Sequence, residues 1–337
     1  MTNPLYTYET LPADDKAAMR EFDDRYIAAI GATPPPAWCD FGELIPTAAP
    51  MLTFPVGSLA LKYQQTEGED RFKTLLSKSF DMKSQEFDAG LEAKLLDLTT
   101  QVFAYRNWQQ GPARMMIAEA RHRNRAIATL LEAGQDTLWG VGISNPLGID
   151  GVNFFSATHL SDFNDPSSTT WSNYESGATD PASVTNLSAQ IVLMQGALDE
   201  NGEKIDIYPD TILVPTAKYE PLKNYLAKEL ILDGGTSTSV TSAATNNPYK
   251  GRFNVVHVPE FTDANDWYLV DSKLLASSGL SPWISLRYTA PSPDLQLRHW
   301  DTSSDFFKNT GKIKVSSHIW TGHALGFPHA IRKIRGA

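Results

Sequence analysis

Seven histidines and a single cysteine are the residues of this chain best suited to chemistry, and neither set is spaced for it. His318, His323 and His329 crowd the C-terminal end, where imidazoles could ligate a metal. No pair has the HExxH spacing of a helical zinc site, and on one continuous strand His318 and His323 would point to opposite faces. Ordinary polar packing is the expectation. Cys39 stands between Trp38 and Asp40 beside the run Pro34-Pro35-Pro36, whereas a catalytic thiol needs a partner base in an electropositive pocket. It reads as a small buried residue, and a lone cysteine excludes internal disulfides and multi-cysteine zinc sites. The chain has no Gly-x-Ser-x-Gly elbow and no phosphate loop ending in Gly-Lys-Ser/Thr. Gly140-Val141-Gly142 opens like a dinucleotide fingerprint, but Asn145 stands where a third glycine belongs. No catalytic residue, cofactor or metal is assigned.

The elements that would have to position such groups are easier to read. Residues 14–30 form a helix ended by Gly31 and the proline triplet, which cannot continue it. The segment up to residue 48 is then an arm laid on another surface. Residues 49–63 and 80–91 read as extended, although the second loses its alternation by Phe87. Between them lies a polar tip, Gln64-Gln65-Thr66-Glu67-Gly68-Glu69-Asp70-Arg71, so the pair predicts a projecting hairpin. Such a hairpin is marginally stable alone and must rest on something else.

Gly111-Pro112 opens a long helix with Met116, Ala120, Ile127, Leu130 and Leu131 on one stripe and Arg114, Arg121 and Arg125 facing away. Arg123 falls on the apolar stripe and should either snorkel to the edge or find a partner carboxylate, for which a neighbouring copy is one source. Residues 162–179 read as loop. Val184, Leu187, Ile191, Met194 and Leu198 mark a second amphipathic helix, and Leu222, Leu226 and Leu230 a third with Pro221 in its first turn. Strands are expected at 211–214, 255–258, 267–270, 295–300 and 313–320. The Ser/Thr-rich stretch 233–247 has too little apolar material to pack and is expected to be a mobile loop.

The formal charge of -10 argues against a dedicated nucleic-acid binder. Its distribution is uneven. Residues 1–45 hold eight acidic side chains against three basic ones, and residues 286–337 hold eight basic against three acidic. Complementary ends suit contacts between copies, with Asp14, Asp15, Asp23 and Asp24 and the tip residues Gln64, Glu67, Glu69, Asp70 and Arg71 as the expected assembly contacts. Two solvated faces are the alternative. No apolar run approaches the roughly 20 residues that span a bilayer, and residues 1–15 lack the regions of a signal peptide. A soluble, non-secreted protein with no membrane partner is expected.

The order of features from Asp150-Gly151-Val152-Asn153-Phe154-Phe155 and His159, through the strand Ile212-Leu213-Val214-Pro215 and Asn247-Pro248-Tyr249-Lys250-Gly251, to Trp267-Tyr268-Leu269-Val270-Asp271 resembles a known series. It is similar to the major capsid proteins of tailed bacteriophages, and most of all to the Mu-like major head subunit family. That resemblance implies an α+β Hong Kong 97-type capsid fold. It implies an N-terminal arm (1–48), an extended hairpin loop (49–95), a peripheral domain with a spine helix (96–165 and 286–337) and an axial domain (166–285). It further implies self-assembly into hexamers and pentamers of an icosahedral shell around double-stranded DNA, contacted non-specifically. A portal protein, and scaffold or decoration proteins, would be the other partners, with assembly in the host cytoplasm and no cofactor. An encapsulin-like nanocompartment and an unrecognised soluble α/β enzyme are the competing readings.

Overall fold

The computed structural model describes residues 14–31, 38–47, 51–56, 78–133, 152–162, 165–177, 179–199, 202–232, 244–273, 281–288 and 297–336. The hairpin tip, the proline triplet, the Asp150-Gly151 turn and most of the Ser/Thr-rich stretch lie outside them. In chain order the helices are α1 (Asp15–Gly31), α2 (Leu95–Thr100), α3 (Val102–Gln109), α4 (Gly111–Ala133), α5 (Val184–Met194), α6 (Thr216–Ala227) and α7 (Asp305–Thr310). The strands are β1 (Glu43–Thr47), β2 (Met51–Val56), β3 (Lys78–Lys83), β4 (Gln85–Lys94), β5 (His159–Leu160), β6 (Thr170–Trp171), β7 (Tyr174–Glu175) and β8 (Thr211–Val214). They continue with β9 (Leu230–Leu232), β10 (Ala244–Asn246), β11 (Asn254–His257), β12 (Trp267–Val270), β13 (Trp283–Tyr288), β14 (Leu297–Trp300), β15 (Lys312–Leu325) and β16 (Ile331–Ile334).

Two sheets carry the fold. In the first, β15 pairs antiparallel with β4 along one edge and with β14 and then β13 along the other, and β1 adds parallel to β13. The second runs β11-β8-β12-β16-β7. Every residue of β8 and β12 is buried, because helices cover both faces of this sheet. Leu213, Tyr268 and Val270 pack with Ile127, Leu130 and Leu131 of α4. Their alternates Ile212, Val214, Trp267 and Leu269 pack with α5 and α6 through Leu187, Ile191, Met194, Leu222 and Leu226. The period-two alternation of four-residue strands thus fills two separate cores.

The lost alternation near Phe87 has a structural reason. Phe80 and Met82 lie on β3, which pairs with β2 as the hairpin base, whereas Phe87, Ala89, Leu91 and Ala93 are the half-buried positions of β4 in the first sheet. Ser84 separates the two strands, and the apolar phase moves from even to odd residues across it. Membership of the sheets also cuts across the expected segments. β4 falls inside the 49–95 loop segment yet belongs to the first sheet, and β16 falls inside 286–337 yet belongs to the second.

Several local expectations need correction. Pro221 is the sixth residue of α6, in its second turn, so one ladder donor is missing from the helix interior. Leu230 is not on that helix but in β9, paired with β10, which trims the expected loop from its C-terminal side. The polar stretch 162–179 contains β6 and β7, held by buried Trp171 and Asn173. β1, β13 and β16 were not expected as strands, nor α2, α3 and α7 as helices.

Gly42 shows how closely the first sheet is packed. A Cβ there would lie 2.0 Å from Trp283 Nε1, which donates a 3.0 Å hydrogen bond to the Cys39 carbonyl. Trp283 is fully buried between Trp38 and Phe41, with ring centroids at 5.7 and 4.7 Å. Gly42→Ala should therefore cost about 1–3 kcal/mol of subunit stability, the usual range for an overpacked core. Urea unfolding with near-UV circular dichroism reads this directly, and an unchanged midpoint would show that the indole shifts at no cost.

Candidate assembly surface

The N-terminal helix is built into its own chain. Asp14 accepts from the Ala17 N–H at 2.8 Å and caps α1, and Ala18, Met19, Phe22 and Tyr26 then recur at helical spacing on its buried face. They meet Leu98, Trp108, Met115, Leu297, Ile313 and Val315 from α2, α3, α4, β14 and β15. Phe22 packs 5.0 Å from Trp108, whose indole donates to the Ala18 carbonyl. A Cβ at Gly111 would fall 2.5 Å from Phe22, so the glycine opening α4 makes room for α1. The buried Tyr26 hydroxyl bonds Ser317 at 2.7 Å, and Glu21 accepts from Tyr105 and Gln109. The surface on which residues 15–31 of the expected arm are laid is therefore that of their own chain.

The expected contact acids divide accordingly. Asp15 is buried and accepts from the Thr302 N–H and hydroxyl, and Asp23 bonds His299 at 2.8 Å. Burial alone would raise the Asp15 pKa, but the Thr302 hydrogen bonds outweigh it and hold it below the ordinary carboxylate range. Asp14 is occupied as the cap, and Asp24 is exposed. Gln64, Glu67, Glu69, Asp70 and Arg71 lie outside the described residues. Arg123 finds its carboxylate on Asp40 of the same chain. The C-terminal surplus of cations is largely consumed inside the subunit: Arg287–Glu119, Arg298–Glu86, Lys308–Asp305, Lys312–Glu92 and Lys333–Asp266 are ion pairs.

The histidines serve packing and polar networks. His318 and His323 do leave opposite faces of β15, the first bonding Glu86 at 2.7 Å and the second bonding Ser285 at 3.0 Å. His159 lies within hydrogen-bond reach of the Phe154 carbonyl and Asn173, stacked on Trp171, which stacks in turn on His329. Among the described residues no three potential ligands converge on a metal position. Cys39 is buried, and burial pushes its thiol up to about 12, which makes it inert as a nucleophile. Burial, with His122 and Arg123 nearby, drives His323 down to about 3. A cleft of about 310 Å³ between α4, β4 and β15 exposes one side of this network, lined by Phe87, Met115, Glu119, His122, Ser317 and Ile319.

Large apolar side chains remain on the surface away from these cores. Leu96 and Phe103, on α2 and α3, are 70% and 79% exposed, and Val192 and Tyr208 are 64% and 66% exposed. Sequence reasoning passed over all four. Val192 was legible as an apolar residue off the buried stripe of α5, because a helix wet on one face has no packing reason to hold valine there.

A mixed fold with two main sheets, a 23-residue helix packed on both and a two-stranded hairpin base tied to the first defines an α+β shell subunit of the Hong Kong 97-type. The chain belongs to the family described as phage capsid protein, whose profile matches residues 95–334. No curated protein matches it by sequence. Its fold is similar to the capsid of a native GTA particle, at 14% identity and TM-score 0.50 over 88% of this chain and 89% of that one. It is equally similar to the capsid of the cyanophage P-SCSP1u, at 10% identity and TM-score 0.50 over 91% and 90%. The bacteriophage JBD30 capsid matches at 14% identity and TM-score 0.50 over 69% of this chain and 93% of its own. The protein is a capsid shell subunit and a virion component.

Asp15→Ala removes both bonds from Thr302 and should loosen α1 locally, at a cost of about 1–2 kcal/mol. Faster amide exchange confined to residues 15–31 and 300–310 is the expected signature, and unchanged exchange there would show that the apolar face alone holds the helix. His323 supplies a pH test. Its folded pKa lies below the unfolded value, so the unfolded chain takes up a proton first as pH falls. Stability is full above about pH 6.5 and declines toward pH 3, by up to about 1.4 kcal/mol per pH unit for this one group. Denaturant unfolding of the unassembled subunit at pH 7 and pH 4.5 should show that loss, and His323→Gln should flatten it. An identical slope in the variant would assign the acid sensitivity elsewhere.

Proposed function

We propose that copies of this chain close into an icosahedral shell of hexamers and pentamers around double-stranded phage DNA, nearest in kind to the Mu-like head subunits. The shell carries no catalytic role, assembles in the host cytoplasm, and meets a portal protein and scaffold or decoration proteins at special positions. The division into arm, extended loop, peripheral domain and axial domain follows the same reading.

The hairpin carries this proposal. β2 and β3 pair with each other over six residues, and the described contacts that tie them to the body are Leu52 and the fully buried Met82, set against Ile284, Leu286 and Ala324. A two-stranded ribbon is marginal in water without a further surface. A neighbouring subunit supplies that surface in a closed shell, where every copy repeats the same heterologous contact. Exposed Phe103 and Leu96 fit the same need, since a neighbour would remove their apolar area from water.

Deleting residues 64–71 should leave a folded subunit that forms few or no shells by negative-stain microscopy. Phe103→Ser should leave subunit stability within about 0.5 kcal/mol, as for an exposed site, and lower shell yield. Asp24→Lys is the clean charge reversal, because Asp15 and Asp23 also hold α1. Normal shells from the hairpin deletion would remove the assembly role of the loop. Shells that enclose protein cargo and no DNA would move the chain to the nanocompartment reading.

A further inference from the structure

Helix α4 carries six formally charged Asp, Glu, Lys or Arg side chains, and they fall into two sets. Glu119 pairs with Arg287, Arg123 pairs with Asp40, and Glu132 accepts from the backbone N–H groups of Thr262 and Asp263. These three are spent within the subunit. Arg114, Arg121 and Arg125 form the second set, and all are exposed. The Arg114 guanidinium bonds the neutral side chains of Asn107 and Gln110, and no acid among the described residues pairs with any of the three.

Their spacing makes one surface. Steps of seven and four residues put the three guanidinium groups within roughly 60° of one another around the helix and along about 16 Å of its length. Like charges aligned this way repel, and in a chain of net charge -10 the subunit leaves them without an acid partner while it pairs Glu119 with Arg287 and hydrogen-bonds Glu132 to backbone N–H groups. We propose that this stripe of α4 faces the interior of the shell and contacts the phosphate backbone of the enclosed duplex. The inference rests on the reading of the shell as a DNA container.

The chemistry favours a duplex over an acidic face of another copy. Double-stranded DNA offers about one negative charge per 1.7 Å of axis, so a 16 Å stripe finds phosphates in any register and needs no fixed partner. Arginine throughout, with no lysine, suits planar two-point contact with phosphate oxygens. Beside the stripe Ala113 and Ala118 are exposed and small, Gln110 bonds the Arg114 guanidinium, and Ile117, 40% exposed, is the one large apolar side chain among the described residues there. A packed subunit interface would call for more apolar bulk around such charges than one isoleucine.

The test uses the full-length unassembled protein and a fluorescein-labelled 40-base-pair duplex of random sequence, with anisotropy read from 50 to 200 mM salt. The triple variant Arg114→Gln, Arg121→Gln, Arg125→Gln should bind at least tenfold more weakly at 100 mM salt. Its slope of log affinity against log salt should be shallower by about 2.7, or 0.9 for each lost phosphate contact. Circular dichroism and shell yield should match the wild type. Unchanged binding in the variant, or no binding by the wild type at any salt, overturns the proposal. So does wild-type binding with failed assembly, which would make the stripe a contact between copies. Nuclease-protected DNA in particles made with the complete set of phage proteins tests the container reading itself. Its absence sinks both, whereas protected DNA with an unchanged variant sinks the stripe alone.

Discussion

Strand β15 is the constraint on which the rest of the subunit depends. Over fourteen residues it uses both edges, taking β4 on one side and β14 and β13 on the other, so segments from the first hundred residues and the last sixty meet on one backbone. Its buried Ile313 and Val315 are also the floor on which α1 and α3 rest, and Ala324 supports the hairpin base. The strand therefore sets the position of the N-terminal helix, the hairpin and the first sheet at once. Gly326 ends it where a Cβ would lie 2.1 Å from the Ser281 carbonyl, which marks how tightly the chain leaves the sheet.

What was legible in the sequence follows the same division. Helices α4 and α5 and strands β8 and β12 announce themselves because their burial comes from one periodic face, or from complete burial in a short run. β13 and β16 were invisible because their neighbours decide them. β13 is buried between β1 and β15, both far away in sequence, and β16 holds buried Arg332, an unlikely core residue until Gln190 and the Ser172 carbonyl are placed beside it. Burial lowers that guanidinium to about 10, still charged at neutral pH, and the hydrogen bonds together with the Glu175 carboxylate at 3.8 Å make it tolerable there.

The assembly contacts were the least legible part, for an electrostatic reason. A charge count along the chain sees eight acids near one end and eight bases near the other, but not which carboxylate each base already holds. Six ion pairs of the C-terminal cations, among the described residues, remove much of the apparent asymmetry within the subunit. Charges paired this way hold the fold and steer little, since each is neutralised at close range and screened beyond about 8 Å.

A subunit that must add copies of itself without clumping has to separate these two uses of charge. The cores of this chain are closed by tryptophans, paired acids and buried histidines, and among the described residues the features left outward include the hairpin, several large apolar side chains and one aligned set of arginines. Sparse contacts are individually weak, and a closed shell multiplies them over every copy. The net charge of -10 then acts between subunits as a diffuse repulsion that only correctly registered contacts overcome. Such a balance favours assembly that can correct its errors, because a misplaced copy meets the repulsion without the full set of contacts.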